Sequence, residues 1–265
     1  MRRRALIGTL AVLTLGAAVA VAAVGGGGTA AKPKLLFADE FTARGIDHSH
    51  WQLCHWWSPN GCTIATNHEL EWYLPRQAHA GDGTLRLRAT RHAIVRAGQR
   101  YPFTSGMISS GPGREGPSRF AFTYGRAEMR ARLPAGRGLW PAFWMLPADR
   151  ESLPEIDIME STGDTPEEMS MHVHYRRADG TVAAPGRRVH DLAPGWHRFA
   201  VDWSPGSLRW SVDGRERWRV TGPAVPAEPM YLVANLAVGG DEPGPPDAAT
   251  HFPAQFVIDW IRVTR

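Results

Sequence analysis

The chain is 265 residues long, with 43% hydrophobic and 21% charged residues, which excludes a wholly disordered chain, a collagen-like fibre and a many-span membrane protein. Its 28 glycines and 21 prolines favour a loop-rich all-β protein over a helix bundle, and its 11 tryptophans are an unusually large aromatic stock. The formal net charge is +4, but three of the 30 basic residues are Arg2, Arg3 and Arg4, and without them 27 basic residues face 26 acidic ones; scattered arginines at near balance do not make the clustered patch that nucleic acid requires.

The chain opens on a basic tetrapeptide followed by an uncharged, Ala-rich and Gly-rich run over residues 5–24, with small-residue sites at Ala18-Val19-Ala20, Val21-Ala22-Ala23 and Thr29-Ala30-Ala31. That layout predicts a secretory signal peptide over residues 1–31, with one catalytic domain over 32–265 and an extracellular destination. The run is also long enough to span a bilayer, so an uncleaved anchor is the alternative, and a membrane becomes a partner only in that case. Cys54 and Cys62 are the sole cysteines and bracket a short turn-rich loop holding Trp56 and Trp57. In an exported chain two close cysteines most simply form a disulfide.

Short alternating segments with turn punctuation follow. Residues 84–89 alternate strictly after Asp82-Gly83, and residues 126–133 do the same. Residues 207–212 and 215–220 flank Asp213-Gly214 and read as a hairpin with a tight turn. Residues 256–263 read as a closing strand. With no long helical period and no internal linker, the chain is expected to form one β-sandwich of two antiparallel sheets, most simply a jelly roll.

The segment Glu155-Ile156-Asp157-Ile158-Met159-Glu160 carries most of the chemical information. Strand side chains alternate faces, so Glu155 and Asp157 share one face while Glu160, five positions on, would point away. A β-bulge with Ile158 or Met159 as the extra residue returns Glu160 to the face of the other two. Three acids on one face repel one another, which gives nothing to a structural strand but suits a glycosidase. A carboxyl pair about 5–5.5 Å apart supports a retaining mechanism, and repulsion keeps one acid protonated as a donor.

On these residues the chain resembles the family 16 glycoside hydrolases, above all their laminarinase-like, endo-β-1,3-glucanase branch. The hexapeptide matches the family's E-I-D-x-x-E signature with its bulge. Tyr124-Gly125-Arg126, Leu133-Pro134 and the stretch from Gly138 through Trp140-Pro141-Ala142-Phe143-Trp144 precede it in family order. His174-Tyr175, Trp203-Ser204-Pro205, Val212-Asp213-Gly214 and Asn235-Leu236-Ala237-Val238-Gly239-Gly240 follow it. With the Asp39-Glu40-Phe41 start and the Asp259-Trp260-Ile261-Arg262-Val263 end, the likeness covers residues 36–264. It implies a concanavalin-like β-jelly roll with a concave cleft, Glu155 as nucleophile, Glu160 as acid and then base, and Asp157 tuning the pair.

The resemblance further implies a monomeric endo-hydrolase of β-1,3- or mixed β-1,3/1,4-glucan that uses no catalytic cofactor. Trp140 and Trp144, four apart on a strand, would offer sugars an apolar face, with His174, Asn235 and Asn67 as further substrate contacts. His172, on the same strand face as His174, is expected to act structurally; the two could hold a metal, but no third ligand is evident. Glu40, Gly83 and Asp259 align with a structural calcium site of relatives. Trp196, Trp203, Trp210, Trp218 and Trp260 are expected in the core, and at most one of Trp56 and Trp57 in the cleft if their segment is extended. The chain departs from the family at Asp149-Arg150-Glu151-Ser152-Leu153-Pro154, which lacks the Trp-Pro pair many laminarinases carry there, and at Asn67-His68-Glu69-Leu70-Glu71-Trp72-Tyr73, a variant of an Asn-Asn-Glu run. A galactan hydrolase or a transglycosylase on the same fold, and a non-catalytic glucan-binding protein, are the alternatives.

Overall fold

Strand alternation decides the architecture. In Thr84–Ala89 the side chains of Leu85, Leu87 and Ala89 are fully buried, while Thr84, Arg86 and Arg88 reach the surface. Each buried Leu removes apolar surface from water for about 1.5–3 kcal/mol, so a one-residue slip would cost the whole inward face. The same logic repeats through Gly125–Arg132 and His197–Ser204. The computed structural model describes residues 33–57 and 61–265. The expected signal segment lies outside the described residues, and no described helix is long and apolar enough to cross a membrane.

Two antiparallel sheets stack face to face. The outer one runs in the order Arg215–Thr221, Ser207–Val212, His197–Ser204, Gly125–Arg132, Ala254–Thr264, Thr84–Ala89, Ala78–Gly81, with Leu35–Asp39 also pairing on Ala254–Thr264. The inner one runs Val182–Ala183, Met169–Arg176, Glu155–Glu160, Leu139–Pro147, Met230–Val238, Met107–Ser109, with Gly186–Val189 also pairing on Met169–Arg176. The expected hairpin forms between Ser207–Val212 and Arg215–Thr221, with Asp213 and Gly214 both at positive φ in the turn. The main core fills the space between the sheets around Trp210, Phe143, Phe199 and Phe256.

Met230–Val238 is buried along its whole length. One face, with Leu232, Ala234, Leu236 and Val238, belongs to the main core. The other, with Tyr231 and Val233, packs with Tyr73, Met107, Ala142, Trp144 and Leu146 into a second apolar cluster. That cluster closes one part of the concave face under the 54–62 loop, whose Trp56 and Trp57 pack on it. Cys54 and Cys62 are joined as a disulfide.

Three expectations are corrected here. Trp203 and Trp210 are core residues, and Trp218 is partly buried against the same core, but Trp196 and Trp260 lie on the outer surface. There they sit under arginines: Arg130 and Arg132 over Trp196 at 4.9 and 5.6 Å, and Arg262 over Trp260 at 4.2 Å. Trp56 and Trp57 both reach the cleft, because residues 54–57 do not form a strand and strand alternation does not apply to them. The two carboxylates of the expected calcium site are already engaged by cations. Glu40 accepts both prongs of Arg262 at 2.7 and 2.9 Å, and Asp259 Oδ2 accepts from Arg130 at 2.5 Å. A dication at Glu40, Gly83 and Asp259 would have to displace two guanidinium groups, so this arrangement of the carboxylates does not fit calcium.

Candidate active site

The bulge expected in the acid strand is present. Ala142 and Phe143 pair with Glu160 and Met159, while Trp144 pairs with Asp157, leaving Ile158 as the extra residue. The register on the other flank shifts over the same interval, from Asp157 opposite His172 to Glu160 opposite Ser170. Ile156, Ile158 and Met159 all enter the core, which fixes the strand's orientation. Glu155, Asp157 and Glu160 therefore share the concave face, at the junction of two cavities of about 800 and 390 Å³; Asp157 lines the larger one, and the two glutamates line both.

Neighbouring strands hold each acid. Trp140 Nε1 donates to Glu160 Oε1 at 3.1 Å, and His172 Nδ1 lies 2.9 Å from Glu160 Oε2. His174 Nε2 lies 3.0 Å from Asp157 Oδ2 and 3.7 Å from Glu155 Oε1. Beneath them, Trp210 Nε1 donates to the backbone carbonyl of Asp157 at 2.9 Å, tying the acid strand to the outer sheet. Burial, then the charge of Asp157, pushes the Glu155 carboxyl well up; burial, then the charge of Glu160, does the same to Asp157. Both shifts run the same way, so ionising the two groups together is disfavoured on this strand face.

Both histidines meet the acids. His172, taken as structural, is the one that contacts Glu160, while His174 faces Asp157 and Glu155. The reason is register: His174 lies directly opposite Glu155, and the bulge carries Glu160 back toward His172. Trp144 points to the cleft floor, where its Nε1 donates to Asn235 Oδ1 at 2.7 Å. Asn235 Nδ2 donates onward to Tyr73 Oη at 3.0 Å, and Tyr73 Oη to Glu69 Oε2 at 3.5 Å. Asn67 lines the cleft and donates to Glu69 Oε1 at 3.3 Å. Arg150, Glu151 and Ser152 line the wall where the family's Trp-Pro pair is missing.

Sequence reasoning missed Glu69, Glu71 and His55. The first two alternate with Leu70 and Trp72, the same acid-apolar pattern that marks Glu155 and Asp157, so the signal was available. Glu71 is fully buried and accepts from the Val238 amide at 2.7 Å. Burial and the charge of Glu69 push its carboxyl well above the usual range. Burial lifts Glu69 to about 7. His55 stacks on Trp57 at 3.9 Å, and neither ring nitrogen has a hydrogen-bond partner among the described residues. Burial drops its imidazole to about 3, so it is neutral.

These two groups predict opposite pH limbs of stability. His55 is depressed from 6.5 to about 3, so its contribution is intact above 6.5 and is lost as pH falls toward 3, when the unfolded chain binds a proton the fold refuses. Glu69 is raised from 4.5 to about 7, so its contribution is intact below 4.5 and is lost as pH rises through 7. The shift corresponds to roughly 3 kcal/mol at most. Glu69→Gln is expected to raise Tm by several degrees at pH 8 and to leave it unchanged at pH 4, measured by thermal unfolding across pH.

The chain's residues 66–262 match the family model for glycosyl hydrolases family 16. The chain belongs to that family. Among family 16 relatives, it is 34% identical to a β-glucanase of Rhodothermus marinus, over 88% of this chain and 85% of that one. It is 32% identical to an endo-1,3-1,4-β-glycanase of Rhizobium meliloti over 85% of this chain, and spans about half the length of the curated Rhizobium relatives it matches. The crystal structure of an endo-β-1,3-glucanase from Pyrococcus furiosus superposes with a TM-score of 0.76 at 31% identity, covering 88% of this chain and 94% of that one. Family 16 membership thus accords with the sandwich, the bulged acid strand and the concave cleft seen here.

Proposed function

We propose that the protein is an exported, retaining endo-hydrolase of β-1,3- or mixed β-1,3/1,4-glucan, working as a monomer without a catalytic cofactor. One observation carries the reading: three acids on one bulged strand face lie at the junction of two cavities, each acid held by a neighbouring strand. In this reading the carboxylate of Glu155 attacks the anomeric carbon as Glu160 gives its proton to the departing glycosidic oxygen. Water then attacks the glycosyl-enzyme, losing its proton to Glu160, and the second inversion restores the starting configuration. Asp157, beside Glu155 on the same strand face, keeps it oriented.

Two cavities that share Glu155 and Glu160 in their linings support an internal cut, since a chain has room to run past the acids. The larger one is walled by Trp56, Trp57, Trp140 and Trp144, which suits the apolar faces of sugar rings. Export is supported by Arg2, Arg3 and Arg4 ahead of an uncharged run. The monomer reading is supported by one chain supplying all three acids and both cavities.

The test is a mass-spectrometric product screen on laminarin, lichenan, xyloglucan, agarose and carrageenan, with Glu155→Gln as control. Oligosaccharides from laminarin or lichenan that are absent in the control are expected. A second reading keeps the mechanism on a galactan, and the wall of Arg150, Glu151 and Ser152 in place of a Trp-Pro pair favours it. Products from agarose or carrageenan alone would select it. Glucan binding without products from any polymer would instead point to a binding protein.

A further inference from the structure

We propose that Asp157, His172 and His174 form a chelating site for a divalent transition metal of the zinc or copper kind, whose occupancy blocks catalysis. The blocking half of this inference rests on the function proposed above; the binding half does not. The three side chains offer one carboxylate oxygen and two imidazole nitrogens, all within 4.8 Å of one another. Asp157 Oδ2 lies 3.0 Å from His174 Nε2 and 3.9 Å from His172 Nδ1. Bonds of about 2.0–2.2 Å at tetrahedral angles place ligand atoms roughly 3.3–3.5 Å apart, between those two distances.

A second observation points to a ligand there. Asp157 is 3% exposed, and its Oδ2 makes no well-aligned hydrogen bond among the described residues although both imidazoles face it. A buried carboxylate oxygen without a donor is costly to leave so, and a cation is the partner that two imidazoles cannot be when neither aims an N–H along its lone pair. The ring of His172 is aimed by its backbone neighbour. Gly186 pairs with His172 in register, and a Cβ at Gly186 would stand 2.0 Å from His172 Cδ2. The absence of that methyl lets the ring lie against the Gly186 backbone and turns Nδ1 to the acids.

The donor set selects the metal. Two of three ligands are nitrogen, which suits zinc and copper and disfavours calcium and magnesium. A dication would also relieve the repulsion among Glu155, Asp157 and Glu160. In doing so it engages Asp157, which the hydrolysis uses beside Glu155, and takes His172 Nδ1 from Glu160, so metal and glucan turnover exclude each other. The sequence offered His172 and His174 without a third ligand, and Asp157 on the neighbouring strand supplies it.

The test titrates chelator-stripped full chain, made without a polyhistidine tag, with zinc chloride and copper chloride by calorimetry. Cobalt chloride is added in parallel, with its visible ligand-field absorption as a readout independent of activity. One-to-one binding is expected. His172→Gln, which can still hydrogen-bond Glu160 but offers no imidazole, should weaken it at least tenfold, with Tm as the folding check. Asp157→Asn should do the same. Absence of saturable binding to the wild type, or equal affinity in His172→Gln, overturns the site. Inhibition of glucan hydrolysis in step with occupancy, reversed by chelator, is expected to accompany binding. Should the wild type bind metal but cleave no glucan, the site stands and the functional reading fails; should it cleave glucan but bind no metal, the reverse holds.

Discussion

Glu155→Gln is expected to lose roughly 10⁴-fold or more of the turnover on a β-glucan, the scale on which a covalent nucleophile is missed, while its melting temperature at pH 7 stays the same or rises. The two halves come from one cause. Burial and the neighbouring Asp157 push the Glu155 carboxyl well up, so the folded state works against its charge. A group whose folded pKa is raised destabilises the fold above its unfolded pKa, and this penalty grows as pH rises. The neutral amide keeps the shape and removes the penalty. Loss of activity with a gain in stability is a signature that a structural carboxylate would not give: removing a stabilising acid lowers both. The pair of measurements, kcat on laminarin or lichenan and thermal unfolding at pH 7, thus separates a nucleophile from a strut. Full activity in the variant would refute the assignment of Glu155.

The strand pattern was legible because period-two alternation is written into single residues. Leu85, Leu87 and Ala89 face in, and Arg86 and Arg88 face out, whatever the rest of the fold does. The bulge was legible for the same reason in reverse: three acids at spacings of two and three cannot share a face without one extra residue, and Ile158 is that residue. What stayed hidden depends on partners distant in sequence. Glu40 and Asp259 look like free oxygen donors until Arg262 and Arg130 are seen beside them. Trp196 and Trp260 look like core residues until arginines cover them. Which acid each of His172 and His174 meets needed the inter-strand register, which no single strand encodes. His55 carries no sequence signal, since burial without a hydrogen-bond partner is a property of its neighbours Trp57, Tyr73 and Trp144.

Glu160→Ala should show a loss that depends on the leaving group, and this dependence identifies the acid. General acid and base assistance contributes about 10²–10⁴-fold, and only when the departing oxygen needs a proton. On a natural glucan the variant is therefore expected to lose about that much in kcat. On an aryl β-glucoside oligomer with an acidic phenol as leaving group, the first step should survive and the glycosyl-enzyme should accumulate, because the base for the second step is gone. Azide, which needs no base, should then take the sugar and give a product of retained configuration, read by mass spectrometry and proton NMR. The structure adds a specific expectation to this scheme. Trp140 Nε1 and His172 Nδ1 both contact the Glu160 carboxyl, so the space left by the truncated side chain is lined by polar groups beside the reacting bond. A small anion has partners there, and rescue by azide should exceed any rescue seen in Glu155→Ala, where the loss removes the bond-forming atom itself. Equal loss on both leaving groups, with no azide adduct, would instead mean that Glu160 positions its neighbours and that the proton comes from elsewhere, with His172, 2.9 Å away, the next group to test.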